Sequence, residues 1–370
     1  MRSLPTTPAP FRSIAFLMLS VAPVLPVAAQ QSPSIDHYVP VHSTAPGYAG
    51  HVANLYVREI RAQEGSNGAI VLFVHGAGTP AEVAFDVPVE GYSWMRYLAA
   101  RGLHVYSMDL TGYGRSTRPP ALNDRCNLPA DQQQELFGNA CPAAENSAAT
   151  TIASDWDDMD AVISFLLEEN RGDQLHLIGW SQGGPRTGGY AARHPDKVAS
   201  IVQLAPAYSR STPSDPNERI LSGLPLTKQT RKDFIANWDR QVGCPGQYDP
   251  AVAQVIFDEM LASDPIGATW GDGLRRAPRV PTFGWTPEVV GAMQTPVLMV
   301  SGAHDGQVDP ERVRMLYEDL GSPNKVFIEM QCASHNAMWE KDAQSLFDAS
   351  YQWISSGTYN GQTQGRFELP

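Results

Sequence analysis

One serine stands in a setting that suits nucleophilic chemistry. Gly179-Trp180-Ser181-Gln182-Gly183 fits the pattern Gly-x-Ser-x-Gly, after an apolar strand-like run (175–179) and before a helical run reaching about His194. That context predicts a sharp strand–turn–helix on which the hydroxyl projects, with the flanking glycines leaving room for neighbouring backbone. An alcohol is a weak nucleophile at neutral pH and needs a base. With a serine turn of this kind, the acid and then the histidine follow in chain order. Asp305 lies just past the strand-like run 297–301, in Gly302-Ala303-His304-Asp305. His335 follows the run 326–330, in Gln331-Cys332-Ala333-Ser334-His335. The expected roles are nucleophile for Ser181, base for His335, and for Asp305 the carboxylate that holds the imidazole tautomer and stabilises the imidazolium. Two rivals are weaker: Asp309 precedes Pro310 and reads as a helix start, and His304 adjoins the acid ahead of the last strand. Acyl transfer also needs donors for an oxyanion. His75-Gly76-Ala77-Gly78 follows the run 69–74, and its small residues let backbone approach a substrate oxygen. The expected donors are the N–H groups of Ala77 and of Gln182, directly after the nucleophile.

These groups must be brought to one place by the rest of the chain. Apolar runs at 69–74, 103–110, 175–179, 201–205, 297–301 and 326–330 alternate with helical patterns. This is the mark of an α/β fold, a mostly parallel central sheet with helices on both faces. Trp94, Tyr97 and Leu98 share one helical face; Trp156, Met159, Ile163 and Leu166 share another. Asp155, Asp157, Asp158 and Asp160 crowd the start of that second helix, where acidic residues complement the helix dipole. They are expected to serve capping and solubility rather than metal binding. Two stretches break the alternation. Residues 118–147 form a polar insertion. Residues 207–294 are too long for a plain connection and read as a lid inserted into a core of 30–206 and 295–370. The lid carries Tyr208, Phe234, Trp238, Tyr248, Trp270, Phe283 and Trp285. Some of these, Trp238, Trp270 and Trp285 with Trp180 beside the serine, are candidates to line a substrate pocket; most are expected to form the lid's own small core.

The first residues read as a secretory leader, 1–29: Arg2 and Arg12, an apolar stretch at 14–27, and small residues to Ala29. The stretch is shorter than the ~20 residues a bilayer span requires and is interrupted by Pro23 and Pro26. The chain is acidic, with a formal charge of −12 from 27 basic and 39 acidic residues. Losing the leader would make it more so. That disfavours nucleic acid and anionic membrane as partners. Four cysteines in an exported chain favour disulfides. Cys126 and Cys141 flank one polar loop, whose closure would be worth ~3 kcal/mol; Cys244 would then pair with Cys332. No Cys-x-x-Cys or His-rich spacing suggests a metal. No Gly-x-Gly-x-x-Gly opens a strand–helix unit, so no dinucleotide cofactor is expected.

Taken together these motifs resemble the α/β-hydrolase fold superfamily, nearest its branch of capped esterases, epoxide hydrolases and haloalkane dehalogenases. The resemblance rests on HGAG (75–78), SWMRYLAARGLHVYSMDLTGYGRS (93–116), GWSQGG (179–184), SGAHDGQVDP (301–310) and CASHNAMWE (332–340). It covers roughly 69–206 and 295 onward, and leaves the lid and insertion unmatched. Epoxide hydrolases and dehalogenases of that branch use an aspartate nucleophile, whereas Ser181 stands here, which argues for acyl transfer to water. The resemblance therefore implies a serine esterase acting on a small-molecule ester without a cofactor, and the leader-like first residues imply that it is secreted or periplasmic; oligomeric state stays open. A proline-iminopeptidase-like aminopeptidase would need an acidic pocket for the substrate amine, for which Glu288, Asp264 or Asp272 could serve. A non-catalytic binding protein that kept the fold is the remaining class.

Overall fold

The computed structural model describes residue 1 and residues 33–61, 68–218, 223–280 and 282–370. The expected leader, apart from residue 1, lies outside the described residues. Ser32–Pro370 form one compact unit, from which 207–294 does not separate.

Nine strands form the main sheet: β1 (Ser34–His42), β2 (Val52–Ile60), β3 (Ile70–Val74), β4 (His104–Met108), β5 (Leu175–Trp180), β6 (Val198–Leu204), β9 (Val297–Gly302), β10 (Lys325–Met330) and β11 (Gln364–Leu369). The remaining pair, β7 (Leu226–Thr230) and β8 (Leu274–Pro278), makes a separate antiparallel ribbon. The order across the main sheet is β1-β2-β4-β3-β5-β6-β9-β10-β11. From β4 to β11 all neighbours run parallel; β1, β2 and β4 are antiparallel to one another in turn. The six apolar runs are the six central strands. The three further strands have polar, half-exposed faces, which hides them from a search for apolar runs: β11 alternates exposed and intermediate residues along its whole length.

Side chains alternate between the faces. Val71, Phe73, Ile178, Val202, Val300 and Ile328 pack on one side against helices Trp94–Ala99 and Ala343–Ser356. Leu72, Val74, Leu177, Ile201, Met299 and Phe327 pack on the other against helices Ile152–Asn170 and Pro310–Asp319. Two of the four acidic residues at the start of helix Ile152–Asn170 are not solvating groups. Asp155 is buried on Arg186 at 2.7 Å and Asp158 is buried, accepting from Thr111 N at 2.8 Å. Helix Ile152–Asn170 begins earlier than the acidic cluster, capped by Thr151, so its inward face carries these two carboxylates.

Among its described residues the segment 207–294 has no core separate from the rest of the fold. Phe234 and Trp238 of helix Arg231–Asp239, with Ile256 and Phe257 of helix Pro250–Ala262, extend the first core. Trp285 joins the second. Trp270 joins Leu122, Leu128, Leu226 and Leu274 in a third, which ties the ribbon to the insertion 118–147. That insertion is closed by a Cys126–Cys141 disulfide and braced by buried Asn127, whose Oδ1 accepts from the amides of Ala144 and Glu145. The second disulfide joins Cys244 to Cys332. No helix among the described residues is long and apolar enough to cross a membrane.

Candidate active site

Parallel strands in register end at one rim, and that rim gathers the candidate residues. Val74 lies beside Gly179, Trp180 beside Leu204, Leu204 beside Val300, and Gly302 beside Met330. The loops that follow carry Ala77, Ser181, Asp305 and His335.

Ser181 has φ 57°, the left-handed region that costs a non-glycine residue ~1–3 kcal/mol. The turn is held by Ser181 N donating to Leu204 O at 2.8 Å, while Ser181 O accepts from Gly184 N and Ala207 N, each at 2.9 Å. Its glycines are needed for close approach: a Cβ on Gly179 would meet Gly183 O at 2.5 Å, and one on Gly183 would meet Val74 O at 2.5 Å. Ser181 is partly exposed. Gly76 presses against it, since a Cβ there would stand 2.9 Å from Ser181 Cβ.

Asp305 and His335 are both buried and meet at 2.8 Å, Oδ2 to Nδ1. The other carboxylate oxygen, Oδ1, accepts from Gln307 N and Val308 N, both at 2.8 Å. Both oxygens are thus fixed, and an ionised Asp305 leaves the proton of a neutral His335 on Nδ1 and the lone pair on Nε2. The rivals have other situations. Asp309 caps helix Pro310–Asp319 by accepting from Glu311 N, and His304 is exposed.

The amides expected to face an oxyanion are oriented by peptide planarity. In a trans peptide the C=O and the following N–H point in opposite directions. Gly76 O takes bonds from His75 Nδ1 at 2.8 Å and from Arg186 Nη1 at 3.1 Å, so the N–H of exposed Ala77 points away from Arg186. Ser181 O is taken by two amides, so the N–H of Gln182 points away from them. Neither amide donates to an acceptor among the described residues. Burial and the Arg186 cation hold His75 well below the ordinary imidazole range, and its Nε2 accepts from Leu110 N at 3.2 Å. His75 and Arg186, which pairs with Asp155, are therefore a buried brace under this loop. Arg186 went unnoticed in the sequence because its helix position has no local signature.

The histidine loop rests on contacts from distant segments. Trp180 Nε1 donates to His335 O at 2.8 Å, with the two rings 5.4 Å apart, and Trp180 is 4% exposed. Buried Glu340 accepts from Ser334 N at 2.8 Å, Ser334 Oγ at 2.5 Å, Trp238 Nε1 at 2.8 Å and Gln247 Nε2 at 3.0 Å. Desolvation outweighs these bonds and raises its pKa. Gln241 Oε1 accepts from Gly306 N at 2.9 Å and lies 3.4 Å from His335 N. With the Cys244–Cys332 bond, the segment 207–294 is therefore fastened to both the acid and histidine loops. Across the mouth, Gln182 Nε2 donates to Val280 O at 2.6 Å.

Of the tryptophans named as pocket candidates, Trp238 stacks on Tyr248 at 4.4 Å and packs on Trp339. Trp285 meets Tyr208 edge-on at 5.6 Å, and Trp270 meets Phe137 edge-on at 5.9 Å under the Arg276 guanidinium. All three are buried, each in a different cluster. Asp264, a candidate for an amine pocket, is engaged by Arg276, whose Nη2 lies 2.5 Å away and whose amide donates to it at 2.8 Å. Among the described residues no group of three His, Cys, Asp or Glu side chains is arranged to hold a metal ion.

The model of the alpha/beta hydrolase fold family matches residues 69–342. Lipase 3 of Moraxella sp. (strain TA144) and Lipase 1 of Psychrobacter immobilis are each 22% identical over 241 residues. The match covers 65% of this chain and only 65% of each of these relatives' own length. The esterase RhEst1 from Rhodococcus sp. ECU1013 superposes with a TM-score of 0.54 over 86% of this chain and 98% of its own, at 16% identity, a likeness of fold.

Proposed function

The chain belongs to the alpha/beta hydrolase fold family, and from that premise we propose that it is a secreted serine hydrolase that cleaves a carboxylic ester through an acyl-enzyme. The observation that carries the reading is the buried 2.8 Å Asp305–His335 bond at the rim where Ser181 stands on its strained turn. Ser181 Oγ attacks the ester carbon while His335 Nε2 takes its proton. The carbonyl oxygen, now negative, lies against the N–H groups of Ala77 and Gln182. The ester C–O bond then breaks, and His335 returns the proton to the leaving oxygen, releasing the alcohol. Water attacks the acyl-enzyme with its proton passing to His335; as the acyl–Oγ bond breaks, His335 returns that proton to Ser181 Oγ, which frees the acid and restores the enzyme. The names of the related lipases support an ester over an amide. The engagement of Asp264 by Arg276 removes one acid that an aminopeptidase reading would use. The segment 207–294 acts as the cap of this site. Export accords with two disulfides and with the leader-like first residues.

The test is Ser181→Ala against a panel of aryl esters, with labelling by a phosphonate probe. The expected result is a folded protein without labelling and with turnover lowered by several orders of magnitude. Near-wild-type turnover by the pure variant would sink the assignment.

A further inference from the structure

Strand β8 and the residues after it lie against the loops that carry the expected oxyanion donors. At the far end of the strand Pro278 packs on Gly112, and two residues beyond it Val280 O accepts from Gln182 Nε2. At its near end Arg275 lays its guanidinium against Gly78, so closely that any side chain at Gly78 would collide with it. Gly78 is two residues from Gly76, which touches Ser181, and a two-residue span is at most about 7 Å.

This guanidinium is held but not neutralised. Its Nε and Nη2 both donate to the amide oxygen of Gln229, at 3.2 and 2.8 Å. Among the described residues no carboxylate lies within ion-pairing distance of it. Asp264, the carboxylate whose field reaches it, is already paired closely with Arg276 and lies 3.9 Å from Arg118. Arg275 is thus left without a counter-ion among the described residues, in a chain whose overall formal charge is −12. The Arg275 side chain is partly exposed yet deep enough that desolvation lowers its pKa to about 10, so it remains a cation at neutral pH. An unpaired cation at such a depth costs free energy unless a ligand supplies the counter-charge.

We propose that Arg275 is the anion-binding residue of this site and that the preferred substrates are esters carrying a carboxylate a few bonds from the ester carbonyl. The inference rests on the ester-hydrolase reading above. With Nε and Nη2 held by Gln229, Nη1, which lies against Gly78, is left for a substrate oxygen.

The carboxylate could sit on the acyl or on the alcohol side, so two matched pairs are needed. One compares 4-nitrophenyl hemisuccinate with its methyl ester; the other compares 3-carboxyphenyl butyrate with 3-carbamoylphenyl butyrate. The wild type should favour the anionic member of one pair by about 10- to 100-fold in kcat/KM, the range of one charge-assisted hydrogen bond. The preference should shrink in high salt. Arg275→Met should erase most of it, lowering kcat/KM for the anionic ester far more than for the neutral one, while Arg275→Lys keeps part. Calorimetric titration of glutarate, with glutaramide as control, supplies a readout independent of turnover and should show selective binding that weakens in Arg275→Met. Should Arg275→Met fail to fold, Arg275→Lys and the wild-type titration decide. Ser181-dependent hydrolysis with no preference in either pair, or equal losses on both members in Arg275→Met, overturns this inference alone. Absence of Ser181-dependent ester hydrolysis overturns the parent reading; the glutarate titration then still upholds the anion site or, if glutarate does not bind, refutes it.

Discussion

Replacing Asp305 by asparagine separates the orienting role of the carboxylate from its structural one. Oδ1 accepts from the amides of Gln307 and Val308, and Oδ2 faces His335 Nδ1. An asparagine has one acceptor oxygen and one donor NH₂. Two backbone donors converge on the Oδ1 position, so the amide oxygen takes that place and the NH₂ is turned toward the imidazole. Nδ1 must then accept, which puts the imidazole proton on Nε2, where it can no longer receive the serine proton. The cost is that of the wrong tautomer, about 10⁴ in kcat when an aspartate of this kind is amidated in a serine protease. Stability should hardly change, because both backbone bonds survive. Asp305→Ala differs: it leaves the buried Val308 amide without a partner, worth about 1–3 kcal/mol, but frees the imidazole to take either tautomer. The assay is kcat on an activated aryl ester beside urea unfolding of both variants. Asp305→Asn within tenfold of wild type would refute the geometric argument, as would a large loss of stability in that variant.

Glu340→Ala removes the acceptor of four donors from Ser334, Trp238 and Gln247, of which Gln247 Nε2 keeps a longer bond to Gln241 O at 3.4 Å. Allowing for partial relaxation, the expected loss is about 3–5 kcal/mol, read by urea unfolding, with a difference under 1 kcal/mol counting against the latch. Combined with Trp238→Phe, the two losses should fall short of additive, since the orphaned indole N–H is then gone. Burial raises Asp158 to about 7, well above an ordinary aspartate. The folded state therefore holds this proton more tightly than the unfolded state, and stability should fall as pH rises from about 4 through 7. Asp109, raised by burial to about 6, adds the same sign. Asp158→Asn should flatten that decline by a few kcal/mol between about pH 4 and 7; an unchanged slope in chemical denaturation would refute the assignment.

The short-range features of this protein were legible in its sequence because their causes are local. Gly179, Ser181 and Gly183 must lie within five residues for a hydroxyl to project from a strand–helix turn, and the apolar runs that became β3 to β6, β9 and β10 are buried on both faces. Asp305 and His335 could be named because each follows one of those runs, and parallel strands deliver their following loops to one rim. The pairing of Cys126 with Cys141 followed from a short loop. Tertiary structure alone decided the rest. Strands β1, β2 and β11 carry half-exposed faces that no apolar run announces. Asp155 looked like a solvated helix-start residue until Arg186, 31 positions later, was found to enclose it. Trp238 looked like a pocket wall, yet its indole N–H is spent on Glu340, 102 positions away. Arg275 has no sequence signature, because what sets it apart is its contact with Gly78 and, among the described residues, the lack of any carboxylate within ion-pairing distance. A buried polar group is defined by its partner, and where that partner stands far along the chain, only the folded packing identifies it.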